Sequence, residues 1–240
     1  MSHARSKSCS QSAGYDREMQ QLLAGLWHWQ APHPDWAPTA HWPQQVSSYA
    51  VDDGTTLLLF DPLAVPQPLL ELASVRTPVI VLTAPWHERD TQTLLGTLRC
   101  PVFTPSPDTA EDLARKYGIT LQQAGAGSPD LAWLLSGPSP GGEAHFYAAG
   151  DRLALGIDVF PGRVRNDVVL WLDSLRVLIA GDTLADFGHG LEIPSDAVTQ
   201  ERTPEQIVQG LRALLQRPVE HVLPTHGLPT DRSALDRLLG

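Results

Sequence analysis

Cysteine is almost absent from this 240-residue sequence, which contains only two cysteines. Cys9 lies in a polar N-terminal stretch and Cys100 lies far along the chain. Two such residues supply neither a disulfide framework nor a zinc site built from cysteines. This usage predicts a protein of a reducing compartment.

Basic charge and long apolar runs are also scarce. The chain has 17 Lys and Arg against 27 Asp and Glu, a net charge of −10. Such a surface repels phosphate backbones and anionic lipids, which argues against nucleic acid and membrane partners. The run LLAGLW is too short for a signal sequence or a bilayer span, and the Ser-rich start is too short for a transit peptide. We therefore predict a cytoplasmic protein, while its oligomeric state is not encoded in any recognisable pattern.

The chain does contain enough apolar material for a sizeable core. Hydrophobic residues make up 42% of the sequence and charged residues 18%. This balance and length are typical of one large globular domain. We predict a disordered tail at residues 1–14 and a single domain over 15–240.

Hydrophobic periodicity predicts two groups of strands, each followed by helices. A first helix is expected within 15–30, a hairpin over 46–60, and alternating helices and strands from 68 to 117. A second, antiparallel sheet is expected from four strands between 144 and 182, followed by a helix at 204–215, a strand at 219–223 and a helix at 230–239. Stacking these predicts an α/β (α+β) fold, a four-layer αββα sandwich of two mixed sheets flanked by helices.

Polar residues gather where several predicted strands end. The segments are TAPWHERD (83–90), PGRVRND (161–167), AGDTLAD (180–186) and LPTHG (223–227). Together with the hairpin YAVDDGTTLLLFDP (49–62), their order resembles the metallo-β-lactamase superfamily, which includes glyoxalase II, over residues 45–228. The resemblance implies the αββα fold and a site at these strand ends.

The metal-binding signature of that superfamily, T-H-x-H-x-D-H followed by a P-G-H segment, is altered in this chain. When Thr83 is the anchor, Asp182 and His226 match the family pattern and Glu88 is a conservative replacement. Alanine and tryptophan do not ligate metals, and arginine is always charged and has no lone pair to donate. The family's other ligand positions fall on Ala84, Trp86, Arg89 and Arg163.

These replacements suggest that charge pairs occupy the place of a dinuclear metal centre. Glu88 and Asp182 would face Arg89 and Arg163, and the four charges sum to zero. The cluster is then either a structural set of ion pairs or a site for a small anion. We expect a binding protein or pseudoenzyme without metal or other cofactor, whose pocket includes Trp86, His87, Glu88, Arg89, Arg163, Asp182 and His226.

A one-residue shift in register gives an alternative. His87, Asp90, Asp182 and His226 would then hold one zinc or iron ion, whose ligand types are acceptable. The protein would be a mononuclear hydrolase of an ester or thioester, as the resemblance to glyoxalase II implies.

A serine-hydrolase motif is present but does not fit its mechanism. GPSPG at 137–141 matches G-x-S-x-G, in which the backbone N–H after the nucleophile donates to the oxyanion. Here that residue is Pro140, which has no N–H. We interpret the segment as part of a surface loop over 124–143.

Overall fold

The computed structural model describes residues 19–125, 131, 143–194 and 201–240. The predicted tail at 1–14 and the GPSPG segment lie outside the described residues. Within them, the strands form two sheets, with seven strands in the first and six in the second.

The first sheet is mixed and follows the order of the chain. Strands β1 to β4 are antiparallel neighbours, whereas β4 to β7 run parallel. Its strands are β1 (Gln20–Leu23), β2 (Leu26–Pro32), β3 (Gln45–Asp52), β4 (Thr56–Phe60), β5 (Thr77–Val81), β6 (Val102–Pro105) and β7 (Ala144–Tyr147).

The second sheet is mixed as well, in the order β13-β12-β11-β10-β9-β8. All its pairs are antiparallel except β11 with β12. Its strands are β8 (Arg152–Leu153), β9 (Ile157–Pro161), β10 (Val168–Leu172), β11 (Val177–Gly181), β12 (His221–Pro224) and β13 (Thr230–Asp231).

The helices are short, and several begin at residues suited to cap them. Thr109, Thr120 and Thr203 each form a capping box with the residue three positions later, which satisfies backbone N–H groups that a helix start leaves open. The described helices are α1 (Gln67–Ala73), α2 (Thr91–Leu98), α3 (Ala110–Tyr117), α4 (Leu121–Ala124), α5 (Pro204–Leu211) and α6 (Arg232–Leu239).

Alternation along the strands creates three apolar layers. In β5, Val79 and Val81 belong to the core between the two sheets, whereas Ile80 belongs to the core under α1 and α2. In the second sheet, Leu170 faces the first sheet and Trp171 packs in the core with α5 and α6. Successive strand residues point to opposite faces, so each sheet is buried on both sides. The predicted four-layer αββα sandwich is confirmed.

Two predictions of local structure are wrong. The segment predicted as a first helix forms the hairpin β1–β2, in which Leu23 pairs with Leu26 and Gly25 adopts a φ of 77°. The strand at 144–147 joins the first sheet, parallel to β6, and is not part of the second. None of the helices in the described ranges has the length and apolar character needed to cross a bilayer.

Candidate functional site

A cavity of about 470 Å³ lies where strands of both sheets end. Asp182 follows β11, His226 follows β12 and Arg163 follows β9, while Trp86 and His87 lie in a short 3-10 turn after β5. Of the predicted site residues, the cavity brings together all but Glu88 and Asp90. It is lined by His33, Asp35, His41, Trp42, Trp86, His87, Arg89, Arg163, Asp182, Phe187, Pro194 and His226.

Asp182 is the centre of the site. Its Oδ2 accepts a hydrogen bond of 2.9 Å from Trp86 Nε1 and lies 3.3 Å from Arg163 Nη2. Its Oδ1 lies 3.1 Å from His87 Nε2 and 3.3 Å from His226 Nε2. Burial opposes ionisation, but the two imidazoles outweigh it and hold the pKa of Asp182 well below its usual range. Asp182 is therefore a carboxylate at neutral pH.

His87 bridges two carboxylates and is 4% exposed. Its Nε2 faces Asp182, whereas its Nδ1 lies 3.1 Å from Asp61 Oδ2 and 2.9 Å from Thr83 Oγ1. Burial lowers the pKa of His87, but Asp182 and Asp61 overcome that effect and raise it to about 9. An imidazole with a carboxylate at each nitrogen is a cation at neutral pH, and a protonated imidazole has no lone pair for a metal.

Arg163 holds a carboxylate that the sequence analysis missed. Its Nε donates a 2.8 Å hydrogen bond to Asp167 Oδ2, a shorter contact than the one with Asp182. Asp167 is fully buried and also accepts from Thr183 Oγ1 at 3.0 Å. Gly162 allows this close packing, because a Cβ there would lie 2.2 Å from both Asp167 O and Thr183 Oγ1.

Arg89 holds two neighbouring strands together and also forms part of the cavity wall. Its Nη1 donates to Asp61 O at 2.6 Å and to Ser47 O at 3.2 Å, which links β3 to the end of β4. Its φ of 39° lies in the left-handed region, which is uncommon for a non-glycine residue. The surrounding contacts hold the guanidinium in place despite this backbone strain.

The charged residues that meet at the site differ from the set predicted from the sequence. Glu88 Oε2 accepts from the backbone N–H of Leu131 at 2.9 Å, and Glu88 is not part of the cavity lining. Asp90, the fourth ligand of the alternative, accepts from the backbone N–H of Ala64 at 2.5 Å. Three carboxylates and three cations therefore meet at the site: Asp61, Asp167 and Asp182 with His87, Arg89 and Arg163.

The missed carboxylates share a weak signal in the sequence. Asp61 directly follows β4 and Asp167 directly precedes β10. A carboxylate beside a buried strand is common in loops and turns, so the pattern alone does not single them out. Their roles emerge only when the strands bring them next to His87 and Arg163.

His226 joins the polar floor of the cavity to its aromatic wall. Its ring centroid lies 5.0 Å from that of Trp42 and 6.1 Å from that of Phe187. The following residue, Gly227, is anchored because its carbonyl accepts from Ser47 Oγ at 2.8 Å. The first sheet thus fixes the loop of the second sheet that carries His226.

Trp86 is held from two sides. Its indole N–H donates to Asp182, and Lys116 Nζ lies 4.8 Å from its ring centroid. Lys116 is itself buried and pairs with Asp108 at 2.9 Å. Trp86 therefore forms a wall of the cavity and uses its one polar atom as a donor, which has no lone pair for a metal.

The residues present do not fit the superfamily's dinuclear centre. Among the described ranges, no group of three or more His, Cys, Asp or Glu side chains is arranged to hold a metal ion. The residues that the sequence analysis aligned with the family imidazoles, Ala84, Trp86, Arg89 and Arg163, have no lone pair for a metal, and His87 is held between two carboxylates. A metal ion beside these guanidinium groups would be repelled by their positive charge.

Comparison with known proteins agrees with the fold. No protein-family model matches the chain, and no curated protein matches it. Among solved structures, the DIM-1 metallo-β-lactamase is 13% identical with a TM-score of 0.60, over 93% of this chain and 95% of that chain. A metallo-β-lactamase from Pontibacter korlensis is 19% identical with a TM-score of 0.58, over 93% and 97%.

A third solved structure, TTHA1623 in a di-iron-bound form, is 25% identical with a TM-score of 0.53, over 84% of this chain and 98% of that chain. These likenesses extend over most of each chain. The protein therefore has the fold of the metallo-β-lactamase superfamily, as the order of its strand-end segments implied.

Proposed function

We propose that this metallo-β-lactamase-fold protein binds a small organic anion in the cavity, as a binding protein or pseudoenzyme without a dinuclear metal centre. The observation that carries this proposal is the position of His87 between Asp61 and Asp182, 3.1 Å from each. The cations that pair with the buried carboxylates are then side chains of the protein itself: His87, Arg89 and Arg163. A metal is then not required for neutrality.

The cavity lining supports an anionic ligand with an apolar part. Arg89, Arg163 and protonated His87 line the cavity, and guanidinium and imidazolium N–H groups are strong hydrogen-bond donors to a carboxylate. Its aromatic members, Trp42, Trp86 and Phe187, offer flat apolar surface. Pockets for small molecules combine such apolar walls with a few placed polar groups, and about 470 Å³ is within their usual size.

Tryptophan fluorescence provides the test, because Trp42 and Trp86 line the cavity. Titration with benzoate at constant ionic strength should give a saturable change, with weaker responses to acetate and to benzyl alcohol. Phe187→Ala should weaken benzoate binding, whereas Arg176→Gln, at an exposed ion pair with Glu220, should not. No saturable response to benzoate, or an equal effect of the two variants, would contradict the proposal.

A mononuclear metal-dependent hydrolase of an ester or thioester is the second candidate. One observation favours it: Asp182 Oδ1 is buried without a hydrogen bond, 3.1 and 3.3 Å from Nε2 of His87 and His226. Zinc or iron at these donors would activate a water for attack. Binding would first have to remove the proton that His87 holds between its carboxylates.

Elemental analysis separates the two candidates. Protein purified without chelator should hold well under one equivalent of zinc, iron or manganese. One tightly held ion per chain that is lost in His226→Ala, together with thioester hydrolysis that chelator abolishes, would replace the binding protein by the hydrolase.

A further inference from the structure

A second hollow, of about 450 Å³, opens on the other side of the loop that follows β9. We call it the arginine hollow, and its lining is Arg115, Ala148, Ala149, Arg165, Glu201 and Arg202. Three guanidinium groups and one carboxylate give this lining a charge of +2, on a chain whose net charge is −10. A positive concavity on an acidic protein attracts anions to one place.

Neighbouring acids pair with two of the three arginines. Arg165 Nη2 lies 3.1 Å from Asp108 Oδ1 and 3.0 Å from Asp112 Oδ2. Arg115 Nη2 also pairs with Asp112, while Asp108 is shared with Lys116. Asp151, whose Oδ2 accepts from the backbone N–H of Ala148, places a further carboxylate beside the lining, so the hollow offers an anion guanidinium donors more than net charge.

Arg202 is held by a backbone carbonyl. Its Nη1 donates to the carbonyl of Gly162 at 3.0 Å. A guanidinium has five N–H donors, and the contacts described use one nitrogen each of Arg115, Arg165 and Arg202. The alanines at 148 and 149 are exposed and small, so they leave the arginines accessible.

We propose that the arginine hollow binds a phosphate group, either free or as part of a small phosphate ester. Guanidinium groups match the tetrahedral oxyanion because their paired donors reach two oxygens at once. The side chains of Arg115 and Arg165 are 59% and 40% exposed, so a ligand reaches them without opening the core. This proposal is independent of the cavity around Asp182.

Isothermal titration with inorganic phosphate, at ionic strength held constant with sodium chloride, tests the proposal. Wild-type protein should show saturable binding of one phosphate per chain. Arg115→Gln and Arg202→Gln should each weaken it by at least about tenfold, the effect of losing a charge-assisted hydrogen bond. Arg176→Gln, which removes an exposed arginine that pairs with Glu220, is the matched control and should bind as wild type.

Glu201→Gln should change binding in the opposite direction, because it removes the carboxylate from the lining. A parallel titration with glycerol phosphate distinguishes the sources: tighter binding than phosphate supports an ester, and equal or weaker binding supports the free ion. Absence of saturable binding would overturn the proposal, as would equal weakening by Arg176→Gln. Phosphate binding lost in His226→Ala but kept in both Arg115→Gln and Arg202→Gln would assign the ion to the other cavity.

Discussion

At the residue scale, Arg163 connects two carboxylates with different degrees of burial. Asp167 is fully buried and 2.8 Å from Arg163 Nε, whereas Asp182 is 12% exposed and 3.3 Å from Nη2. The sequence analysis named only Asp182 as partner. Since a truncated ion pair is costly where the remaining charge is buried, Asp167 is the residue that loss of Arg163 should leave unpaired.

We predict that Arg163→Ala lowers the free energy of unfolding by about 3 to 5 kcal/mol at neutral pH. Adding Asp167→Asn should recover part of this loss, more than adding Asp182→Asn does. Arg176→Ala, at an exposed pair, should cost less than about 1 kcal/mol. Denaturant unfolding measures the free energy of unfolding of each variant. A coupling energy of zero between positions 163 and 167 would contradict the assignment of Asp167 as the main partner of Arg163.

The imidazolium at His87 predicts a dependence of stability on pH. Because its pKa rises from 6.5 to about 9 on folding, the folded state binds this proton more tightly than the unfolded state. The stabilisation is complete below pH 6.5 and is lost as pH rises through about 9. Its size is about 3 kcal/mol by linkage.

Unfolding free energies of wild type and His87→Gln between pH 6 and 10 test this prediction. The difference between the two proteins should shrink as pH rises, since Gln does not titrate. A difference that stays constant over this range would show that His87 is neutral in the folded protein, which favours the mononuclear metal site.

At the scale of elements, the turn after β12 places His226 through its glycine. Gly227 has a φ of 116°, and a Cβ there would lie 2.7 Å from Asp186 O. Both the backbone conformation and the contact are unfavourable for any other residue. This glycine therefore lets the loop pass close to Asp186 where it carries His226 to Asp182.

Gly227→Ala should destabilise the protein by about 1 to 3 kcal/mol and weaken benzoate binding in the fluorescence titration. Gly54→Ala is the control, because Gly54 also has a positive φ, 91°, but no atom lies within 4 Å of its Cβ position. It should cost about 1 kcal/mol and leave binding unchanged. Equal benzoate affinity in both variants would show that the loop does not position the cavity wall.

The hairpin β1–β2 shows why one element was predicted wrongly. Apolar residues at 19, 22, 23, 26 and 27 match the spacing of a helix. A tight turn at Gly25, where a Cβ would lie 2.5 Å from Asp52 O, reverses the chain instead and lets Leu26 reach the core between the sheets. Pairing with β3 over seven residues outweighs local helical preference.

At the scale of the whole molecule, we predict that folding does not depend on a metal. Chelator, or an equimolar addition of zinc, should shift the melting temperature by less than about 1 °C, because a ligand stabilises only when it binds the folded state. His226→Ala should respond in the same way as wild type. A rise of several degrees with zinc in wild type, absent in His226→Ala, would instead establish the mononuclear site.

The sequence by itself determined the layers of the fold and which polar segments end its strands. Alternating apolar strands and short helices were sufficient for the αββα sandwich, because periodicity reports which faces are buried. The order of TAPWHERD, PGRVRND, AGDTLAD and LPTHG along the chain placed polar groups at strand ends. That Ala84, Trp86, Arg89 and Arg163 replace family ligands stays a prediction from the motif anchored at Thr83.

Only the tertiary structure decided which charges meet. Asp61 lies far from His87 in the sequence, and a turn separates Asp167 from Arg163. Nothing in the local sequence marks either carboxylate as a partner. Pairing of β4 with β5 brings Asp61 within 3.1 Å of His87, and the turn between β9 and β10 brings Asp167 within 2.8 Å of Arg163, whereas Glu88 contacts the backbone of Leu131. The physical reason is that an electrostatic interaction depends on distance and burial, which the packing of the two sheets sets and sequence spacing does not.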